Sequence, residues 1–220
     1  MAGLCTIELW QTVSMTDAKQ PALRGSRVIL RMAKPEDVSD LFALHADREV
    51  MRYWSCAAYT SMAQAQELFD RSDRGVRAGE FNYWAITRTD DDRLIGHCTL
   101  FSISAAHRRA ETGYALARQH WGHGYAHDAM RLVLDYAFGP LGLHRVEADV
   151  DPRNGGSIRL LERLGFVREG LLRERWRVND EITDSAMFGL LAPDYATATN
   201  AAVASDASNP AAARESSRTV

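Results

Sequence analysis

Cysteine is scarce in this chain of 220 residues: Cys5, Cys56 and Cys98 are odd in number and widely separated. Their spacing excludes a disulfide framework and a C-x-x-C metal site, and reduced thiols in a cytoplasmic protein are the simpler expectation. No run of eighteen apolar residues occurs, so no membrane-spanning helix is expected. Residues 1 to 18 hold no Lys or Arg, and Glu8 and Gln11 interrupt their apolar positions, which is unlike a secretory signal. An excess of positive charge is missing too. Lys and Arg total 26 against 29 for Asp and Glu, and a net charge of −3 leaves no electrostatic footprint for nucleic acid or for an anionic membrane. No internal repeat is visible.

What is present is ample apolar content, 46% of residues, in a length that suits one domain hiding ~70% of its unfolded surface. Val28 to Met32 reads as a strand, and Pro35 opens a helix to about Asp47 with Val38, Leu41, Phe42 and His45 on one face. A second helix is expected from Ser61, its cap, to Ala78. Phe81 to Arg88 and Leu94 to Ser102 read as strands joined by the polar turn Thr89 to Arg93. Further strands are expected at Arg109 to Leu116, Arg145 to Val150, Phe166 to Arg177 and Ile182 to Leu191, with helices at Tyr125 to Phe138 and Ser157 to Leu164. Interleaved helices followed by two closing strands predict an α/β (α+β type) fold, a mixed sheet with helices on both faces. Residues 1–22 are expected to form an N-terminal extension, either with Leu4, Ile7, Leu9, Trp10 and Val13 as a short packed arm or with Met15 as the true start and the first fourteen residues an artefact of gene calling, and 23–195 to form the domain. From Ala196 to Val220 the small polar composition without aromatics predicts a disordered tail.

Gln119-His120-Trp121-Gly122-His123-Gly124 falls where a strand ends and a helix begins. At such a turn several backbone N–H groups can face one concavity, and the new helix adds its unpaired amides and positive dipole end. That arrangement binds phosphate without a lysine. Gly122 and Gly124 suit it, because a side chain would hold a ligand off the amides and glycine tolerates positive φ. The plain alternative is a tight turn closing a helix. No Gly-Lys-Ser or Gly-Lys-Thr follows, so it is not a nucleotide P-loop, and His127 stands where a dinucleotide fingerprint needs its third small residue.

Some thirty residues on comes Asn154-Gly155-Gly156-Ser157-Ile158-Arg159-Leu160-Leu161-Glu162-Arg163-Leu164-Gly165-Phe166. Here the chain resembles the GNAT acyltransferases: Gln119 to Gly124 matches their Q/R-x-x-G-x-G/A loop, and Asn154 to Phe166 their N-x-x-S-x-x-L-x-x-x-x-G-F element. Val28 to Arg31 with Glu36, Asp37 and Met51 to Ser55, and Arg173-Glu174-Arg175 with Asp184, resemble the Rim-type branch, the ribosomal-protein N-terminal acetyltransferases. The resemblance spans about residues 23 to 192. It implies a GNAT fold of about six to seven strands, mostly antiparallel, and acetyl-CoA as cosubstrate without a metal. An amine is the implied acceptor, in a monomer or homodimer.

The resemblance also implies roles. Amides at Ala115, Leu116 and Ala117 would pair with the pantetheine arm, one of them facing the thioester oxygen, although an ordinary buried strand would carry the same residues. Gln119, Gly122, His123, Gly124, Tyr125 and Ala126 would hold the pyrophosphate. Glu111 stands where several GNAT enzymes place their general base; its plain alternative is a solvated carboxylate paired with Arg109 or Arg118, with Glu174 or His107 next in line as base. Asn154 would touch the coenzyme or hold the loop, and Ser157 would relay a proton to the thiolate or cap the helix. Many relatives use a tyrosine acid, and none follows that helix before Tyr195, which favours Ser157 or water. Trp176 stands where one Rim-type enzyme has a glutamate. Tyr53, Trp54, Trp84, Tyr114 and Trp176 line an acceptor cleft or belong to the core, and Arg159 and Arg163 approach the adenosine phosphates or face solvent. His120, His123 and His127 lack a further ligand for a metal. A non-catalytic acyl-CoA-binding module is the competing function.

Overall fold

The computed structural model describes residues 20–197. The short strand β1 (Leu23–Arg24) pairs with β2 (Val28–Arg31), and a 3₁₀ turn at Pro35–Asp37 leads into α1 (Val38–Ala46), α2 (Arg48–Met51) and α3 (Met62–Arg77). Three longer strands follow, β3 (Asn82–Arg88), β4 (Leu94–Ser104) and β5 (Arg109–Leu116), then α4 (Tyr125–Phe138), β6 (Arg145–Val150), α5 (Gly155–Arg163), β7 (Val167–Val178) and β8 (Glu181–Leu191). The strands form one sheet in the order β1-β2-β3-β4-β5-β6-β8-β7, antiparallel at every pairing except β5–β6.

The expected count of six to seven strands becomes eight because two-residue β1 is too short to show an alternating pattern. The helix expected from Pro35 begins three residues later. The Asp37 carboxylate is already held by Arg31, at 2.7 and 3.0 Å, and by the Lys34 amide at 2.7 Å, which tightens the entry into a 3₁₀ turn. Ser61 and Gln64 form the box that starts α3. Gln20, expected in a loose extension, is buried and exchanges two hydrogen bonds of 2.8 Å with the backbone of Tyr83. The arm expected at Leu4 to Val13 and the tail beyond residue 197 lie outside the described residues.

Alternation along the strands sends residues to two separately covered faces. Trp84, Ile86, Cys98, Leu100, Ala110 and Leu116 pack under α4 and α5 with Met130, Val133, Leu134 and Leu161. Ala85, Leu94 and Ala115 pack on the other face against Val38, Leu41, Leu44, Val50 and Met51 of the α1 to α3 side. Parallel β5 and β6 cannot be joined by a hairpin, so α4 crosses over between them, and its N-terminus lies at the carboxyl end of β5. In open α/β sheets that crevice is where ligands bind. Among the described residues no helix is long and apolar enough to cross a membrane.

Candidate active site

Pairing between β5 and β6 runs only from Arg109 opposite Arg145 to Thr112 opposite Ala148. Beyond it β5 continues to Leu116 and β6 to Val150, so the two strands part and the edge of β5 from Gly113 to Leu116 faces no neighbouring strand among the described residues. Ala117 donates its N–H to the Ile95 carbonyl of β4 at 2.8 Å, and its own carbonyl accepts from His120 at 2.9 Å. Successive residues turn their backbone groups to alternate edges, so Leu116 and Tyr114 face the opening while Ala115 faces β4. Of the amides expected to meet the pantetheine arm, that of Ala117 is bonded to β4 and that of Ala115 faces β4, while that of Leu116, like that of Tyr114, faces the opening. The Leu116 carbonyl accepts the Trp121 indole N–H at 2.7 Å, which pins the following loop to the strand end.

The loop then turns through Gly122 at φ 78° and Gly124 at φ 81°, left-handed conformations that glycine adopts without strain. Among the described residues, the amides of Gly122 to His127 donate to no protein acceptor; Asp128 is the first whose N–H bonds back, to Gly124 O at 3.1 Å. Six adjacent backbone donors at a helix N-terminus are a site for an anion. Gln119 lies in a 3₁₀ turn, Arg118–His120, beside a cavity of about 80 Å³ shared with Asp40, Asp47 and Ala117. Tyr125 stacks on His123 with centroids 6.0 Å apart, and Ala126 packs on the core.

Arg27, which sequence reasoning missed, comes to this loop from the β1–β2 hairpin. Its Nε donates to Asp128 at 2.7 Å and its Nη1 to the His123 carbonyl at 2.8 Å. A Cβ on Gly124 would lie 2.8 Å from Arg27 Nη2. No local pattern links residues 96 positions apart, so only the fold reveals the contact.

Glu111 stands on the α1 side of the sheet, half-buried, on the same face as Gly113 and Ala115. Arg109, its expected partner, gives its guanidinium to Glu147 at 2.8 Å, and Arg145 joins Glu147 at 2.7 Å and binds Glu169. Glu111 makes no ion pair among the described residues. Burial raises its pKa above the ordinary value; the Ser102 hydroxyl draws it back, and Glu147 pushes it up further. His107 lies exposed at the opposite end of β5, in the turn before Arg109. Glu174 is exposed in an irregular stretch of β7 at φ 54°, its amide donating to Asp184 at 2.8 Å, while Trp176 donates to Asp149 at 3.3 Å.

On the opposite face, the Tyr114 hydroxyl and Ser157 Oγ are 2.6 Å apart. Burial pushes the Tyr114 phenol up to about 12, against the stabilising bond from Ser157. Asn154 caps α5 by accepting the Ser157 N–H at 3.0 Å, so the capping role weighed for Ser157 falls to Asn154. Tyr195, the tyrosine that follows α5 in sequence, bonds Asp135 at 2.8 Å. Trp84 is fully buried against Tyr136 and belongs to the core, and Tyr53 lies beside Arg153 and Arg52. Among the described residues no group of three His, Cys, Asp or Glu is placed to hold a metal.

A sequence model described as the acetyltransferase (GNAT) domain matches residues 27–167. The chain belongs to the GNAT acetyltransferase family. It is 37% identical to p20, an uncharacterised N-acetyltransferase of Bacillus licheniformis, over 79% of this chain and 98% of that one. It is 34% identical to the uncharacterised N-acetyltransferase YoaA of Bacillus subtilis, over 79% and 98%. Spermidine N-acetyltransferase of Vibrio cholerae, solved in complex with CoA and spermine, superimposes with a TM-score of 0.69 at 29% identity, covering 78% of this chain and 99% of that one. This GNAT protein is accordingly an acetyl-CoA-dependent N-acetyltransferase, an enzyme and not merely a binding module. The Rim-type branch is not set apart from other GNAT subfamilies by these likenesses.

Proposed function

We propose that the protein transfers the acetyl group of acetyl-CoA directly to a primary amine, with the parted strands β5 and β6 receiving the pantetheine arm and the amides of Gly122 to His127 receiving the pyrophosphate. The observation that carries this reading is the run of six N–H groups without acceptors among the described residues, beside an open strand edge. The Leu116 amide faces the opening and serves as donor to the thioester oxygen; one such donor is typically worth ~10²–10³ in rate.

Glu111 accepts a proton from the ammonium, directly or through one water, and frees the lone pair. The amine nitrogen attacks the thioester carbon as the carbonyl electrons move to oxygen; the nitrogen, now carrying two hydrogens and a positive charge, gives one proton to water, and collapse breaks the C–S bond with the pair leaving on sulfur. The departing thiolate is met by the hydroxyls of Tyr114 and Ser157, through which it takes a proton resupplied from solvent; Glu111 returns its proton to water. The N-acetylated amine and free CoA are the products. Asn154 holds the first turn of α5, and so Ser157, against Tyr114. No acetyl-enzyme is needed: burial pushes the Cys98 thiol far up, which opposes a nucleophilic thiolate there.

The acceptor is a protein N-terminal amine, as the Rim-type features suggest, or a small amine, as the likeness to a spermidine acetyltransferase suggests. Mass spectrometry of a panel of peptides with free N-termini, polyamines and simple amines, with thiol release followed in parallel, decides between them. Binding of acetyl-CoA without acetylation of any member would defeat the catalytic reading of these residues.

A further inference from the structure

Helices α4 and α5 follow the parallel neighbours β5 and β6, so both start at the end of the sheet where those strands part. Both pack on one face of it, with Met130 and Val133 of α4 and Leu161 of α5 in a single apolar cluster. A groove therefore runs between the two helices and opens at the anion site of Gly122 to His127.

Basic side chains gather along this groove. His127 and Arg131 are one turn apart on α4 and share an edge of it, as Arg159 and Arg163 share an edge of α5. The two edges come together at His127: burial holds its pKa below the ordinary value, Asp128 draws it up, and the charges of Arg131 and Arg163 push it down again, an effect exerted only at close range. Arg159 turns back instead over the first turn of its own helix, its Nη1 3.1 Å from where a Cβ on Gly155 would stand.

The acids nearby do not neutralise this cluster. Asp128 is held by Arg27 at 2.7 Å, Asp135 accepts the Tyr195 hydroxyl at 2.8 Å, and Arg131 and Arg163 make no ion pair among the described residues. His127 and Arg131 are half-buried and Arg163 is exposed, so a solute reaches all three from the surface. Like charges held together repel, and beside six amides without acceptors they leave a strip that an anion balances.

Position selects the anion. Arg131 lies four residues beyond His127, the last of the free amides, and a helix rises ~1.5 Å per residue, so the guanidinium is carried ~6 Å along α4 from the pyrophosphate site. In coenzyme A one ribose bears the pyrophosphate on its 5′ carbon and a phosphomonoester on its 3′ carbon. The second phosphate therefore lies one sugar away from the first.

We propose that the α4–α5 groove is a phosphomonoester subsite in which Arg131 and Arg163 hold the 3′-phosphate of the coenzyme beside His127, so that the protein selects CoA over its 3′-dephospho form. Two guanidinia from different helices suit a phosphate dianion, whose oxygens accept charge-assisted bonds from both sides. The reacting thioester is at the far end of the pantetheine arm, so the subsite contributes affinity for the coenzyme. The inference rests on the acetyl-CoA reading given above.

The test compares CoA with 3′-dephospho-CoA by calorimetry, on the parent and on the double variant Arg131→Gln/Arg163→Gln. The parent should bind CoA about tenfold more tightly than the dephospho form, and the variant should lose that preference by weakening toward CoA alone. A thermal melt checks that the variant is folded; should it not be, Arg163→Gln alone, at an exposed position, is expected to remove part of the preference. Equal affinity of the parent for the two forms overturns the subsite. So does a folded variant that keeps the parental preference or weakens toward both forms alike. A parent that binds neither form overturns the acetyl-CoA reading itself and the subsite with it, so the two failures are distinguishable.

Discussion

Tyr114 on β5 and Ser157 in the first turn of α5 are 43 residues apart in sequence and 2.6 Å apart through their hydroxyls. They join the strand that parts from β6 to the helix that follows it, so one bond spans the opening assigned to the coenzyme thiol. Burial that pushes the phenol up to about 12 keeps Tyr114 protonated and available as a donor throughout the neutral range.

Tyr114→Phe should therefore lower kcat by ~10²-fold, at the lower end of what acid–base groups supply, while coenzyme affinity changes little. Ser157→Ala should cost less, because Tyr114 can still reach the thiolate. Stopped-flow thiol release compared with calorimetric binding checks both, and equal loss of binding and turnover in Tyr114→Phe would mark it as a packing residue.

Glu111→Gln should lower kcat by ~10²–10⁴ with little effect on acetyl-CoA affinity. Since burial raises the Glu111 pKa, the acidic limb of kcat/KM should lie above the ordinary carboxylate value and change its form in the variant. Stability carries the matching sign. A carboxyl with a raised folded pKa binds more protons in the native state, so its ionisation costs stability as pH climbs through the window between the unfolded and folded values. Glu111→Gln should thus be at least as stable as the parent at pH 7 in a thermal melt. Near-parental turnover would return Glu111 to the role of a half-buried strand carboxylate and redirect attention to Glu174.

Arg27→Ala should raise KM for acetyl-CoA by about tenfold with kcat nearly unchanged, because the guanidinium ties the loop carbonyl of His123 to Asp128 and offsets a carboxylate beside the anion site. Gly124→Val should abolish measurable coenzyme binding, since a Cβ there meets Arg27 Nη2 and the φ of 81° is strained for valine. Folded Gly124→Val that binds coenzyme as tightly as the parent would show that the pyrophosphate lies elsewhere.

The chain's local chemistry was readable where it depends on neighbours in sequence. Ser61 announces the start of α3, and the glycines at 122 and 124 announce a turn between β5 and α4, because caps and positive φ are properties of a few consecutive residues. The bounds of β5, α4 and β6 agree with their apolar periodicity to the residue. Pro35 misled by three positions, since the bond from distant Arg31 to Asp37 competes with the helix entry, and β1 offered two residues where a period needs more.

By itself, then, the sequence determined the order of strands and helices and the glycine loop at a helix start, both of which are set by residues within a few positions of each other. Tertiary structure alone decided which backbone groups of β5 are free. Ala117 turned out to be bonded to Ile95 because strand edge and register depend on the partner strand, not on the strand's own residues. The same holds for Arg27 over the loop and Tyr114 against Ser157. Each joins elements brought together by burial of apolar faces, a force that fixes who is adjacent without leaving a mark in the spacing of the residues that meet.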